Sequence, residues 1–224
     1  MKSYIRILFV FTLIFVSSFG FSQSNEIKIK FIGNCGLHMT DGNVNIYIDF
    51  PYKSGAYGYM EYDKTELDSI KENSIFIFTH KHADHYSGKL IRKFVKNKNG
   101  TIFTQWKTSK LEKFSKTIPD FDIQAFKTKH RFSLKHNSYL IIWHGTRLFF
   151  SGDTEHPETI GKIDDIDYAF VPYWLLRSAR EANIKIDARM RVLYHSYPNQ
   201  EFDGEIPKDM IILKKEGQVI RITI

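Results

Sequence analysis

Three imidazoles and a carboxylate lie within six residues, His80-Lys81-His82-Ala83-Asp84-His85. These are the ligand types that divalent zinc, iron and manganese accept. In an extended or turning segment, positions i and i+2 point the same way. His80 and His82 can therefore clamp one ion, while Asp84 and His85, past a turn, can reach a neighbouring ion. The cluster follows Ser74-Ile75-Phe76-Ile77-Phe78-Thr79, an apolar, β-branched run that reads as a buried strand. The ligands thus stand where a strand ends, and strand ends of a packed sheet are where α/β proteins place their sites. Two later runs end in the same way. Phe149-Phe150-Ser151-Gly152-Asp153-Thr154 reaches Asp153 after a glycine that permits a tight turn. Arg191-Val192-Leu193-Tyr194-His195-Ser196 ends at a histidine. The competing reading, a solvated loop that happens to be rich in histidine, leaves these downstream partners unexplained.

Taken in order, His-x-His-x-Asp-His, a later lone histidine, Gly-Asp-Thr after a strand and a final histidine after a strand resemble the metallo-β-lactamase superfamily, over nearly all of the chain from Ile27 onward. The segment Phe31-Ile32-Gly33-Asn34-Cys35-Gly36 with Asn45-Ile46-Tyr47-Ile48-Asp49-Phe50-Pro51 is similar to the opening hairpin of that family, with Phe50 intervening before Pro51. The resemblance implies an α/β (α+β) fold, a four-layer αβ/βα sandwich of two mixed β-sheets flanked by helices. It implies a binuclear centre in which His80, His82 and one downstream histidine hold the first metal. Asp84, His85 and His195 hold the second, and Asp153 bridges the two. The implied cofactors are two divalent ions, zinc by default, with iron or manganese accepted. A metal-bridging hydroxide is the implied nucleophile, and Asp84 the catalytic group that orients it or protonates the leaving group. The downstream histidine is either His130, which ends the strand-like Gln124-Ala125-Phe126-Lys127-Thr128-Lys129, or His136, which opens His136-Asn137-Ser138-Tyr139-Leu140-Ile141. The family carries its ligand a few residues before such a strand, which favours His130. The family's usual Gly-His-Thr is absent at this position. Asp49, at a strand end, reads as a group that orients a ligand histidine.

The elements that must position these groups follow from pattern. Strand-like runs fall near 27–32, 44–49, 75–79, 101–104, 122–126, 138–143, 147–151, 167–171, 191–194, 209–213 and 218–223. Helical patterns fall near 64–72, 87–97, 106–115, 156–163 and 177–187, with Ser87 as N-cap of the second. His144-Gly145 reads as a hairpin turn. The chain divides into two β-rich halves, roughly 1–135 and 136–224. Aromatic residues emerge from loops on the metal edge. Tyr59, Tyr86, Tyr173 and Trp174, with His156, are the candidate substrate contacts, although core packing explains any single aromatic equally well. His38 and His144 read as ordinary.

Composition sets the remaining bounds. Lys2 and Arg6 precede the apolar Ile7–Val16, and Ser17, Ser18, Gly20 and Ser22 supply small residues for cleavage. Residues 1–22 therefore read as a signal peptide cut before Gln23, and 23–224 as a single domain, exported to the periplasm or secreted. A retained anchor is the alternative, but the apolar stretch is short for a span of about 20 residues. Cys35 is the only cysteine, so no internal disulfide forms. It reads as a small core residue, with a reactive thiol or a metal ligand as alternatives. The net charge is +7, and between Lys89 and Lys135 there are thirteen lysines or arginines against three acids. That stretch offers contact with an anionic surface, although a solvated face explains it too.

The expected function is a metal-dependent hydrolase of the cell envelope, acting on an ester, lactone or phosphodiester bond. Its substrate is a small or lipid-like molecule and no obligate protein partner is implied. A β-lactam hydrolase is the first alternative, disfavoured because antibiotic-hydrolysing members of the family generally lack the bridging carboxylate. A nuclease is disfavoured by export and by the lack of a long basic arm. A non-catalytic binding member is disfavoured by the completeness of the ligand set.

Overall fold

The structure is a computed structural model that describes residues 26–202 and 204–224. The leader and its cleavage site lie outside the described residues. Two six-stranded sheets face each other. The first contains β1 (Glu26–Gly33), β2 (Gly36–Thr40), β3 (Asn45–Ile48), β4 (Ile75–Ile77), β5 (Thr101–Phe103) and β12 (Val219–Thr223), in the order β12-β1-β2-β3-β4-β5. The second contains β6 (Phe121–Thr128), β7 (His136–Trp143), β8 (Thr146–Phe150), β9 (Ile166–Pro172), β10 (Ala188–Tyr194) and β11 (Met210–Ile212), in the order β11-β10-β9-β8-β7-β6. Each sheet is antiparallel on one side and parallel on the other. In the first, β3, β4 and β5 run parallel; in the second, β8, β9, β10 and β11 do.

Side-chain alternation decides which layer each strand residue enters, because successive residues of a strand point to opposite faces. Ile46, Ile48, Ile75 and Ile77 face Tyr139, Ile141, Trp143, Leu148 and Phe150 in the layer between the sheets. Tyr47, Phe76 and Phe78 point the other way, under Ile91 of α2 (Gly88–Asn97). Leu140, Phe149, Ala169 and Val171 likewise pack under Leu175 of α4 (Tyr173–Glu181). A sheet buried on both faces needs apolar residues at every position, so these strands read as continuous apolar runs. Each fully buried Ile or Phe contributes about 1.5–3 kcal/mol relative to exposure. The result is helix, sheet, sheet, helix. The short α1 (Thr65–Asp68) packs Leu67 against the outer cluster of the first sheet, and α3 (Thr108–Ser115) bridges the edge strands β5 and β6. Among the described residues no helix is long and apolar enough to cross a membrane.

Several expectations need correction. The halves do not divide at 135. β6 belongs to the second sheet, as the antiparallel partner of β7, and the C-terminal β12 returns to pair with β1 in the first. The strand at 36–40 was not expected, although Leu37 and Met39 alternate with His38 and Thr40 in a strand pattern, because the alternation spans only five residues. The helix near 64–72 is a single turn, and that near 156–163 is only a 3-10 turn at Ile160–Lys162. Gly161 there lies under Ile184, with room for no side chain: a Cβ would come within 2.4 Å of the Ile184 side chain. The helix expected at 177–187 runs from Tyr173 to Glu181, because Pro172 ends the strand and stands as N-cap, where its missing N–H removes nothing. Ser87 does occupy the N-cap of α2, but its hydroxyl makes no capping bond. The turn at His144-Gly145 takes positive φ at both residues, 48° and 80°, the geometry that matches a two-residue hairpin to strand twist.

Candidate metal centre

The ligand-bearing segments gather along one edge of the sandwich, at strand ends. His80, His82, Asp84 and His85 follow β4. His130 lies between β6 and β7, Asp153 follows β8, and His195 follows β10. His80, His82, His130 and Asp153 offer one ligand atom each within 4.8 Å of one another, and so do Asp84, His85, Asp153 and His195. Asp153 is common to both groups. In the second group His85 Nε2 stands 3.0 Å from His195 Nε2 and 2.9 Å from Asp153 Oδ1. His195 Nε2 stands 3.1 Å from Asp153 Oδ2 and 3.3 Å from Asp84 Oδ2. In the first, Asp153 Oδ2 is 3.8 Å from His80 Nε2 and 3.7 Å from His130 Nε2.

These separations suit a metal. Donors placed 2.0–2.1 Å from an ion in a tetrahedral shell stand about 3.3 Å from one another. Among the buried atoms that lack a hydrogen-bond partner in the described residues are His80 Nε2 and Asp84 Oδ1, both facing the centre. Leaving such atoms unpaired costs about 1–3 kcal/mol each, which an ion would remove. The residues present therefore fit a two-metal centre, with His80, His82 and His130 able to hold one ion, Asp84, His85 and His195 the other, and Asp153 both.

Charge follows the same arrangement. Burial favours the neutral forms throughout, but His85 and His195 beside Asp153 are held above the ordinary histidine range. Asp153, despite its burial, is held well below the ordinary carboxylate range by His195 and His85. His80, buried and beside His85, is pushed well below the ordinary range, and burial lowers His130 too. Asp84 is lowered by its bond to His195 against the effect of burial.

Behind the ligands lies a layer that fixes their rings. Asp49 Oδ2 is 2.9 Å from His85 Nδ1, and the carboxylate is itself held by the Thr79 N–H and hydroxyl, each donating over 2.8 Å. Thr79 Oγ1 is also 3.0 Å from His80 Nδ1. Glu155 Oε1 stands 3.3 Å from His130 Nδ1. A carboxylate behind a ligand histidine fixes its tautomer and raises its basicity. His136 is set apart from the ligands. Its Nε2 accepts the Asp153 N–H at 3.0 Å and its Nδ1 is 2.7 Å from the Thr128 hydroxyl, so both nitrogens are engaged and the ring holds the Asp153 backbone. Gly152 makes that approach feasible: it adopts φ 59°, and a Cβ would come within 2.6 Å of His136 Nε2 and 2.9 Å of Thr79 Cβ. Cys35 is fully buried in the central core with Sγ 3.2 Å from His85 Nδ1, the rear of the ring, and burial pushes its thiol well above the ordinary range. It packs as a neutral thiol.

A cleft of about 330 Å³ opens over the ligands, walled by Tyr57, Tyr59, Trp174 and Tyr197, with Glu155 at one side. Tyr59 stacks on Tyr197 and meets His195 edge-on at 4.3 Å. Trp174 Nε1 donates to the Asp153 carbonyl at 3.1 Å. Of the expected substrate contacts, Tyr59 and Trp174 are in this wall and three are not. Tyr86 packs edge-on against Phe78 in the outer core, Tyr173 lines a separate cavity with Phe202, and His156 is exposed, 3.9 Å from Glu158. Sequence reasoning passed over Tyr197 and Glu155. Each lies two residues past a ligand, His195 and Asp153, and that spacing was the available signal.

The beta-lactamase superfamily domain model matches residues 28–175, well over half of the chain. The chain belongs to that superfamily. With membership goes the class of metal-dependent hydrolase, for which the donor set above supplies the ligands. Among solved structures, the chain is similar to Igni18, a metallo hydrolase from the hyperthermophilic archaeon Ignicoccus hospitalis, at 16% identity and TM-score 0.64, covering 88% of this chain and 98% of that one. It is also similar to the metallo-beta-lactamase fold protein YhfI from Bacillus subtilis, at 15% identity and TM-score 0.59, covering 88% and 99%. At such identities the likeness is one of fold. No curated protein matches the chain significantly in sequence.

Proposed function

We propose that the protein hydrolyses a carboxylic ester or lactone at the cell envelope, where its basic-then-apolar N-terminal leader would deliver it. The observation that carries this reading is the Asp153 carboxylate common to two ligand groups at the floor of an aromatic cleft. Bound ions would supply Lewis-acid polarisation of the scissile carbonyl and an acidified water. The chain's own part is positional. Asp84, ionised and with Oδ1 unpaired, accepts the proton of the attacking water and returns it to the leaving oxygen. Tyr59 and Trp174 hold the substrate and exclude bulk water. No lysine or arginine stands among the described residues lining the cleft, so an uncharged ester finds a better match there than an anionic phosphodiester.

The test joins metal content to a substrate panel of short p-nitrophenyl esters, lactones, bis(p-nitrophenyl) phosphate and nitrocefin. Purified protein is expected to carry about two divalent ions per chain. Asp153→Ala and His130→Ala should lose metal, while His136→Gln should keep it with weakened turnover. Ester or lactone turnover that falls with metal content supports the reading. Turnover of nitrocefin or the phosphodiester alone replaces the bond type, and a loaded protein inert to the whole panel ends the catalytic proposal.

A further inference from the structure

Large apolar side chains stand outward at the lip of the cleft. Phe132 is 86% exposed and Leu134 97%, on the loop of residues 129–135 that joins β6 to β7. The same loop carries His130, and the Phe132 carbonyl lies 3.3 Å from His82 Nε2, so the loop adjoins the ligands at Phe132 while Leu134 points away into solvent two residues further on. Trp106, 56% exposed, is tied to this loop by Lys135, whose ammonium lies 5.1 Å from the indole centre. Tyr57 and Tyr197, also exposed, line the cleft itself. Phe132 holds φ 60°, a conformation that a bulky residue rarely takes, in a turn closed by the Ser133 N–H donating to the His130 carbonyl. Strain of this kind is retained where a side chain serves something other than packing.

Cations accompany these apolar tips, Arg131 4.8 Å from the centre of the Phe132 ring and Lys135 beside Trp106. Lys81, Lys129 and Arg131 are exposed, and with Lys135 they form no ion pair among the described residues; in the basic stretch the paired lysine is Lys116, with Asp122. Apolar tips set among unpaired cations suit an anionic bilayer, the tips entering the acyl boundary while the cations meet headgroups. A nucleic acid would use the cations and stack on Trp106, but it would leave Leu134 facing water. A second copy of the chain would bring two positive surfaces together.

We infer that the 129–135 loop, with Trp106, docks the metal cleft onto an anionic membrane surface. The inference rests on the hydrolase reading in one respect: the bond cleaved is then carried by an amphiphile in the leaflet, a lipid-like ester, and reaches the cleft over the apolar lip.

Sedimentation of the purified protein with phosphatidylcholine vesicles, with and without phosphatidylglycerol, tests the docking. The wild type should sediment with the mixed vesicles and not with pure phosphatidylcholine, and salt should weaken the binding. Leu134→Asp should weaken it about tenfold or more, with metal content and turnover of a water-soluble ester unchanged. Lys129→Glu should weaken it by a smaller factor. A wild type that stays in solution with both vesicles overturns the docking, as does a Leu134→Asp variant that binds like the wild type. Retention on duplex DNA without vesicle binding assigns the cations to nucleic acid instead. Dimerisation abolished by Leu134→Asp assigns the loop to self-association. Vesicle binding is read without turnover, so its loss leaves the hydrolase standing. A protein that binds vesicles yet hydrolyses nothing ends the hydrolase reading alone.

Discussion

His136 shows how much of the candidate centre depends on a residue whose two ring nitrogens are both engaged by the protein. Its Nε2 accepts the Asp153 N–H, so the ring must be neutral with its proton on Nδ1, donated to Thr128 Oγ1. A protonated ring would set two N–H groups together. Burial enforces the neutral form, lowering the group from 6.5 to about 3. The sign for stability follows from that depression. In the unfolded chain the ring takes its proton near pH 6.5, in the folded chain only near 3, so its contribution is complete above about pH 6.5 and is lost as pH falls towards 3. Between pH 7 and 4.5 the loss amounts to about 2–3 kcal/mol. Urea denaturation of the metal-free protein across this range should show the wild type losing about that much more than His136→Gln, which keeps an acceptor and cannot titrate. Parallel losses in the two proteins would mean that the ring is not held neutral. From sequence alone His136 was a competitor of His130 for the metal. Residue type alone does not separate them; the family's placement of its ligand before the strand favours His130, and the partners of the two ring nitrogens set His136 apart.

At the scale of elements, the strands that feed the centre were legible because they are buried on both faces. The runs 75–78, 148–150 and 192–194 carry buried apolar residues at every position, and each delivers its ligand just past the end where the apolar run stops. What pattern hid was pairing between distant segments and helix extent set by packing. β12 lies at the far end of the chain from β1, yet the two pair from Glu26 with Thr223 to Lys30 with Val219. No local periodicity encodes that closure. β12 alternates, with Ile220 and Ile222 in the central core and Val219, Arg221 and Thr223 outward. Ile222→Ala should therefore cost about 2–4 kcal/mol. Thr223→Ala, one position along and outward, should stay within about 0.5 kcal/mol. Denaturant midpoints of the two variants decide the matter. Equal midpoints would mean that the last strand does not hold the first sheet closed. The helix at 156–163 failed for a related reason: Gly161 passes too close to Ile184 for the segment to carry an ordinary helix side chain there.

Across the whole molecule, the ligand set ties the two sheets together. His80, His82, Asp84 and His85 follow a strand of the first sheet, whereas His130, Asp153 and His195 come from the second. An ion held by both binds only the assembled sandwich, and what binds the folded state alone stabilises it by mass action. With free metal near a thousandfold its dissociation constant, the gain is about 4 kcal/mol per site. In a domain of about 200 residues each kcal/mol moves the midpoint by roughly 2–4 °C. Chelation should therefore lower the unfolding temperature by about 10 °C or more. It should not unfold the protein at room temperature, because the core between the sheets is built from both of them without any ion. That separates this fold from small metal-dependent domains, whose folding free energy is mostly binding free energy. Asp153→Ala removes the one carboxylate common to both groups. Its thermal midpoint should already lie near that of the chelated wild type and should not move when chelator is added. Leu134→Asp, at the exposed lip, should follow the wild type with and without chelator. If scanning calorimetry found the wild type indifferent to chelator, the ligands would be close in space without holding an ion, and the link between metal and assembly would be lost.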